Sequence, residues 1–576
     1  MASLTPSSNF DYLEGTTQPD RFNALDGNDI IYANSGDDYL EGDAGKDKIC
    51  GDTGNDTITG GADNDILWGG KGSDLMAGDS GNDALYGGAG SDTISGGAGD
   101  DIFAIAKGSG GPTVATADYI ADFGNGNDKI RLLDGLTFED LNIQQGTGVN
   151  NNSTVIQDKL TGEYLTVLPG VNSSTINRDQ FTNQLSGNPV IKWNGVMLNA
   201  VRTANTPPPL ASRNMAMVHA AIYDAVNSIS KKYTPYLVEI DPPAGTSAEA
   251  ATAAAAHRVL VNLYPAQAVT FDEAYASSLA TITDGKAKQD GIALGQQVAD
   301  QIISSRSTDG ITKVVQYTPK TEPGSWVPTP PALASALAPQ WRDVTPFAMT
   351  SGSQFRPSGP PTLDSAKYAE ELNYVKEIGK SDSLTRTPEQ TVIAKFWANG
   401  AGTFTPPGHW NQIAEETATL TGQSLEDSAR LFALLNIAEA DAAISCWDAK
   451  YQYNSWRPVT AIRQADTDNN PETTADPLWT PLLTTPPFPE YTSGHSTFSG
   501  AADPVMSSVF GSDYAFGDRG DRSVNTLRTF DNFSEAADES GMSRLYGGIH
   551  FMSANVDGLS AGRKVGNYVI QNFLKA

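Results

Sequence analysis

Between Lys450 and His550 the chain gathers residue types suited to holding an oxyanion. Lys450 and Arg457 stand seven apart in KYQYNSWRP, Ser493, Gly494 and His495 adjoin in FPEYTSGHST, and Arg544 and His550 share SRLYGGIH. Guanidinium forks match tetrahedral oxygens, and an ammonium adds a compact charge. Backbone N–H groups at a helix start form an anion site, and imidazole can exchange protons near neutral pH. Each piece alone has an ordinary reading, as a solvated helix end or a core histidine bonded to backbone.

The elements that must position them can be read nearby. SLEDSARLFALLNIAEADAAISCWDAK has helical periodicity. Residues seven apart share a helix face, so Lys450 and Arg457 are expected to project together from one helix ending near Arg457, because Pro458 disfavours helix before it. After TTPPFPEYTSGH a small-residue helix begins (STFSGAADPVMSSVF), and its first turn would offer free amides near Ser493, Gly494 and His495. Arg544 and His550 do not share a helix face, but Gly547-Gly548 allows a break that turns both inward.

The three-part pattern resembles the vanadium-dependent haloperoxidases and the related phosphatidic-acid-phosphatase superfamily: Lys450…Arg457-Pro458, then Ser493-Gly494-His495, then Ser543-Arg544…His550. The resemblance covers about residues 188–576. It implies that His550 binds vanadium, that Lys450, Arg457, Arg544, Ser493 and the Gly494 amide hold vanadate oxygens, and that His495 is the acid–base group. It further implies oxidation of halide by hydrogen peroxide to hypohalous acid, which halogenates small organic acceptors. Trp447 and Phe488 occupy halide-pocket positions where chloroperoxidase-like members resemble this chain, which favours a peroxidase over a phosphatase, with bromide and then chloride as the expected halides. The same cage fits phosphate, which leaves open an acid phosphatase with His550 as nucleophile. A third reading is an inactive calcium-dependent surface protein.

Departures from the family pattern bear on catalysis. Thr492 replaces the usual proline, and Ala554 stands where many relatives have aspartate. Asn399 is expected where relatives keep a carboxylate that orients the acid–base histidine, which would disfavour the imidazolium form of His495. His409, in TPPGHW, reads equally as a wall of the same cavity or as a structural loop residue. His219 and His257 fall on alanine-rich helical faces and read as structural.

The rest of the chain has a different character. Net charge is −30, and residues 1–105 hold 20 acids against 4 bases. Such a surface repels nucleic acid and invites divalent cations. Cys50 and Cys446 lie in unrelated settings and read as free thiols. No apolar run of about 18 residues exists, so no membrane span is expected. MASLTPSSNFDYLEG has neither a basic start nor an apolar core, so no ordinary signal peptide is expected.

Residues 11–105 repeat with period nine. Asp29, Asp38, Asp47, Asp56, Asp65, Asp74, Asp83, Asp92 and Asp101 recur, each followed two residues later by an apolar side chain and most preceded two residues earlier by glycine. Asp11 and Asp20 begin the series without that glycine and read as a frayed cap. Stacked turns of this kind form a parallel β-roll. The pattern resembles the RTX haemolysin-type repeats, which implies calcium held by aspartates and turn carbonyls, and secretion or a cell-surface location. Calcium takes about six to eight oxygens, which adjacent turns can supply.

The expected architecture is therefore multidomain. An N-terminal parallel β-roll (11–105) is followed by a β-rich cap and linker (106–187), then by a C-terminal all-α helical bundle of haloperoxidase type (188–576). Vanadate and calcium are the expected cofactors. The Pro-rich stretch from Thr318 to Pro361 is expected to wrap the bundle or shape its access channel.

Overall fold

The computed structural model describes residues 11–133, 136, 138–182, 188–400, 402–514, 516–518, 520–521 and 528–575. The expected linker at 182–190 lies largely outside the described residues. The chain divides into two compact units, Met1–Gly187 and Asn188–Ala576.

The first unit is a two-sheet parallel roll. Period nine sends successive strands to alternate sheets, so strands within one sheet pair 18 residues apart, as in Ile49↔Leu67 and Leu40↔Ile58. One apolar residue per strand points inward. Ile31, Ile49, Leu67, Leu85 and Phe103 line one sheet, Leu40, Ile58, Met76 and Ile94 line the other, and all are essentially inaccessible. The first units also form strands, Tyr12–Glu14 and Arg21–Asn23, at the sheet ends. Both sheets run past residue 105. Asp118–Ile120 and Lys129–Leu132 add parallel strands, and an antiparallel set of Leu141–Gln145, Thr154–Asp158 and Tyr164–Leu168 closes one sheet. Ending the stack with antiparallel strands protects its edge.

The turn glycines are required by close backbone approach. At Gly45 (φ +128°) a Cβ would sit 1.4 Å from the Gly27 carbonyl oxygen of the adjacent turn. The repeat aspartates are buried and form a ladder. Oδ1 of Asp47 accepts from the Asp29 amide at 2.7 Å, Oδ1 of Asp65 from Asp47 at 2.8 Å, and so on through Asp101. Oδ2 of Asp29, Asp38, Asp47, Asp56, Asp65, Asp74, Asp83 and Asp92 is buried without a partner. Orphaned carboxylate oxygens in series fit calcium. Among the described residues no three His, Cys, Asp or Glu side chains converge, so carbonyls would complete each shell.

Burial is the main cause that raises these carboxyls, Asp47 and Asp74 to about 7 and Asp65 to about 9. A carboxyl raised on folding costs stability as pH climbs from its unfolded value, about 4, through its folded value. In the calcium-free full-length protein, hydrogen-exchange protection of strands between Ile30 and Ile105 should therefore fall from pH 4 to pH 7, after correction for intrinsic exchange. Added calcium at pH 7 should restore it. Protection that rises with pH in the absence of calcium would contradict this account.

Among the described residues the second unit is helical apart from one short antiparallel strand pair, Phe516–Asp518 with Arg528–Phe530. Its axis is the Leu425–Tyr453 helix, in which nearly every residue from Ser428 to Lys450 is buried. The Pro208–Ser230, Gly494–Phe510 and Met552–Asn572 helices pack around it. The Pro-rich stretch is pinned to this core. Trp326 N donates to Asn454 O (2.8 Å), Leu337 N to Pro487 O (2.8 Å), and the amides of Phe347, Ala348 and Met349 donate to the buried Asp441 carboxylate. Among the described residues no helix is long and apolar enough to cross a membrane.

Candidate oxyanion site

Asn454 adopts a left-handed conformation (φ 54°) and ends the central helix, so Arg457 does not continue it. Instead Arg457 caps the next helix, Pro458–Arg463. The expected shared helix face for Lys450 and Arg457 is therefore incorrect, because Asn454 breaks the helix before Pro458 can. The two cations still meet, since the turn between them folds back against residues 488–492.

Lys450, Arg457, Arg544, His550 and Ser493 are all buried, none more than 2 % exposed. The Lys450 ammonium donates to the carbonyls of Pro489 (3.1 Å), Glu490 (3.0 Å) and Thr492. Arg457 donates from Nε to Phe488 O (2.8 Å) and from Nη1 to Ile549 O (2.9 Å), and Nη1 lies 3.1 Å from His550 Nε2. Arg544 donates to Ser543 Oγ (2.8 Å) and Ala394 O (3.0 Å). Among the described residues none of the three cations makes an ion pair with a carboxylate. Burial pushes Lys450 down to about 8, Arg457 to about 10 and Arg544 to about 9.

Ser493 caps the Gly494–Phe510 helix, its Oγ accepting from Ser496 N at 3.3 Å. A Cβ added at Gly494 would meet nothing nearer than Phe498 at 4.0 Å, so the space beside this residue is open. His550 follows the break at Gly548 (φ +74°), between the Phe533–Tyr546 and Met552–Asn572 helices. Burial, then the charges of Arg457 and Lys450, then His495 and Arg544 hold His550 well below the usual histidine range. His495 is lowered first by burial and then by Arg544, against the carbonyls of Trp397 and Ala398, which favour its protonation. The structure thus brings together all seven residues expected to hold or serve an oxyanion.

The walls follow. Trp447 and Phe488 pack with ring centroids 5.0 Å apart. Lys450 Nζ lies 4.9 Å from the Phe488 ring centre, and the Arg457 guanidinium lies 4.8 Å from it. Trp447 Nε1 donates to Leu337 O (3.3 Å), which ties the pocket to the Pro-rich stretch.

Other expectations are corrected. Asn399 does not partner His495. Its amide lies 2.9 Å from His409 Nδ1, while His409 Nε2 lies 2.5 Å from Asp518 Oδ2. His409 is a fully buried residue of the Thr405–Leu420 helix, not a loop residue. Its ring lies 4.6 Å from that of Trp397. Sequence reading missed Asp518 and also Glu490, whose Oε1 lies 2.8 Å from His550 Nδ1. The signal for Glu490 was its place inside FPEYTSGHST, three residues before Ser493.

The donor set fits an oxyanion of high charge. Arg457 Nη2 and His495 Nε2 are buried polar atoms without a partner. Three desolvated cations are costly unless compensated. The fold and the site together define a helical domain that gathers buried positive charge and imidazoles around His550.

Comparison with known proteins agrees. Residues 430–576 match the VCPO second helical-bundle domain, and four overlapping stretches (14–49, 41–76, 51–85 and 77–108) match the RTX calcium-binding nonapeptide repeat. A bacterial vanadium-dependent iodoperoxidase of known structure is 30 % identical with a TM-score of 0.61, covering 68 % of this chain and 98 % of that one. Vanadium chloroperoxidase from Curvularia inaequalis is 28 % identical over 395 residues, 54 % of this chain. The match spans 64 % of that relative's length. A bacterial vanadium-dependent chloroperoxidase in its holo form shares the fold at 16 % identity, with a TM-score of 0.52 over 64 % of this chain and 92 % of that one. The chain belongs to the vanadium-dependent haloperoxidase family and carries RTX calcium-binding repeats.

Ser493 and His550 are set in place by a glycine-lined seam between the Gly494–Phe510 and Met552–Asn572 helices. A Cβ at Gly562 would lie 2.2 Å from Thr497 O, and one at Gly500 would lie 2.4 Å from Leu559 O. Gly562→Val should therefore destabilise the helical unit by about 1–3 kcal/mol, the usual cost of overpacking. It should also weaken oxyanion binding, since Ser493 N donates to Ala554 O (2.9 Å) across the same seam. Urea unfolding followed by tryptophan fluorescence, with vanadate uptake measured in parallel, checks both effects.

Proposed function

We propose that this chain oxidises halide with hydrogen peroxide at a vanadate held in the 450–550 cage, releasing hypohalous acid or an equivalent that halogenates small organic acceptors. The observation that carries the reading is the set of buried cations around His550, none in an ion pair with a carboxylate among the described residues, with Arg457 Nη2 and His495 Nε2 left without a hydrogen-bond partner there. When bound, vanadate supplies a Lewis-acid centre that activates peroxide without a change in its oxidation state.

The protein's part is electrostatic. His550 Nε2 provides the ligand atom. Arg457, Arg544, Ser493 Oγ and the Gly494 amide hold oxyanion oxygens by hydrogen bonds. Lys450 spends its donors on the 489–492 carbonyls in this structure, so it contributes charge and fixes the turn that carries Ser493. His495, held neutral by burial, accepts a proton at Nε2. Trp447 and Phe488 keep water out and so strengthen every charge interaction inside. The halide is bromide, with chloride as a second candidate. Iodide belongs in the same test, because the 30 % identical structure is an iodoperoxidase.

The roll binds calcium through Asp29, Asp38, Asp47, Asp56, Asp65, Asp74, Asp83, Asp92 and Asp101, each buried with its neighbours on adjacent turns. An acidic roll that needs calcium suits a secreted or cell-surface protein, where calcium is abundant.

Reconstitution with orthovanadate tests the reading. Peroxide-dependent oxidation of iodide, bromide and chloride should rise with vanadate loading. Hydrolysis of an aryl phosphate that vanadate abolishes would point to a phosphatase instead, and vanadium uptake without turnover to an inactive relative. His550→Ala should abolish vanadate retention, measured as bound vanadium after gel filtration. Arg457→Ala should lower kcat for bromide oxidation by about 10²–10³-fold, the effect of removing one preorganised donor. Full activity in either variant would overturn the assigned role.

A further inference from the structure

Glu490 is a buried carboxylate, 1 % exposed, on the turn that leads into Ser493. Its Oε1 lies 2.8 Å from His550 Nδ1 and accepts from the Phe551 amide at 3.0 Å. Across the same imidazole, Arg457 Nη1 lies 3.1 Å from Nε2. A guanidinium has donors only, so Nε2 must present its lone pair. A neutral ring then carries its proton on Nδ1, facing the carboxylate. Two partners on opposite sides thus select the same tautomer. The turn itself is held, because Glu490 N donates to Ser455 O at 3.0 Å, Tyr491 N to Ser455 Oγ at 3.1 Å, and the Glu490 carbonyl accepts from Lys450.

We propose that Glu490 is a positioning residue for His550, its Oε1 holding the Nδ1–H tautomer so that Nε2 faces the cage before an oxyanion enters. The proposal rests on the reading of the cage as a vanadate site, since its benefit is oxyanion affinity. A ligating imidazole gains orientation and basicity from an acceptor on its other nitrogen, and loss of that acceptor typically costs about 10–100-fold in affinity. Lys450 ties the same turn to the central helix, so one short segment, 488–493, serves the wall, the histidine and the helix cap.

The test uses the full chain with 15N-labelled histidine, whose two-bond 1H–15N spectra report which ring nitrogen is protonated. The His550 signals are assigned by their absence in His550→Ala. Vanadate affinity is measured separately by equilibrium dialysis. The vanadate-free wild type should show His550 protonated at Nδ1 and bare at Nε2. Glu490→Ala should show mixed tautomers and vanadate binding weaker by about 10–100-fold. Glu490→Gln, whose amide oxygen still accepts, should recover the tautomer and most of the affinity, which a purely structural carboxylate would not predict. A wild-type ring protonated at Nε2 overturns the proposal even if Glu490→Ala does not fold. So does a folded Glu490→Ala with the wild-type tautomer and affinity. A wild type that takes up no vanadate would sink the functional reading instead, and the spectra would still decide the bond between Glu490 and His550.

Discussion

Three desolvated cations around His550, none in a carboxylate ion pair among the described residues, are the constraint on which the helical unit depends. Each would be costly alone, and the fold offsets that cost with backbone carbonyls. Lys450 takes three from the 489–492 turn, Arg457 takes Phe488 and Ile549, and Arg544 takes Ala394. Carbonyl dipoles stabilise a charge without neutralising it. The cavity keeps its positive potential, and an oxyanion becomes the natural complement.

Much of the surrounding structure exists to hold that arrangement. Close packing along the glycine seam brings the Ser493 cap and the His550 segment to one side of the central helix. The Pro-rich stretch is tied to the central helix through Leu337 and Asp441. Asn399, His409 and Asp518 form a buried polar chain behind Trp397, adjacent to His495 rather than bonded to it. The carbonyls of Trp397 and Ala398, at the end of the Pro388–Phe396 helix, favour protonation of His495. They partly stand in for the carboxylate that the family pattern has near this histidine.

The roll follows the same electrostatic logic with the sign reversed. Its buried aspartates satisfy one oxygen with an amide from the adjacent turn, and among the described residues those from Asp29 to Asp92 leave the other unpaired. A stack of such oxygens is unfavourable when ionised and favourable around a divalent cation. On the proposed reading calcium binding would be linked to folding in this unit, whereas the helical unit draws its core from close-packed apolar helices.

From the sequence alone, the period-nine repeat determined the roll, its inward residues and its aspartate ladder, because a strict period leaves each residue one geometric environment. The three motifs likewise marked which side chains would meet, because their order and spacing match the family pattern they resemble, although each piece alone has an ordinary reading. What the sequence did not contain was how they meet. Arg457 reached the cage by a left-handed break at Asn454, not along a helix face, and Asn399 turned to His409 instead of His495. Glu490 and Asp518 acquired their partners only through contacts 60 and 109 residues away in the chain. Local patterns encode periodicity and turn propensity, but the partner of a buried polar group is chosen by whichever distant donor or acceptor the folded packing brings within reach, and that choice belongs to the tertiary structure.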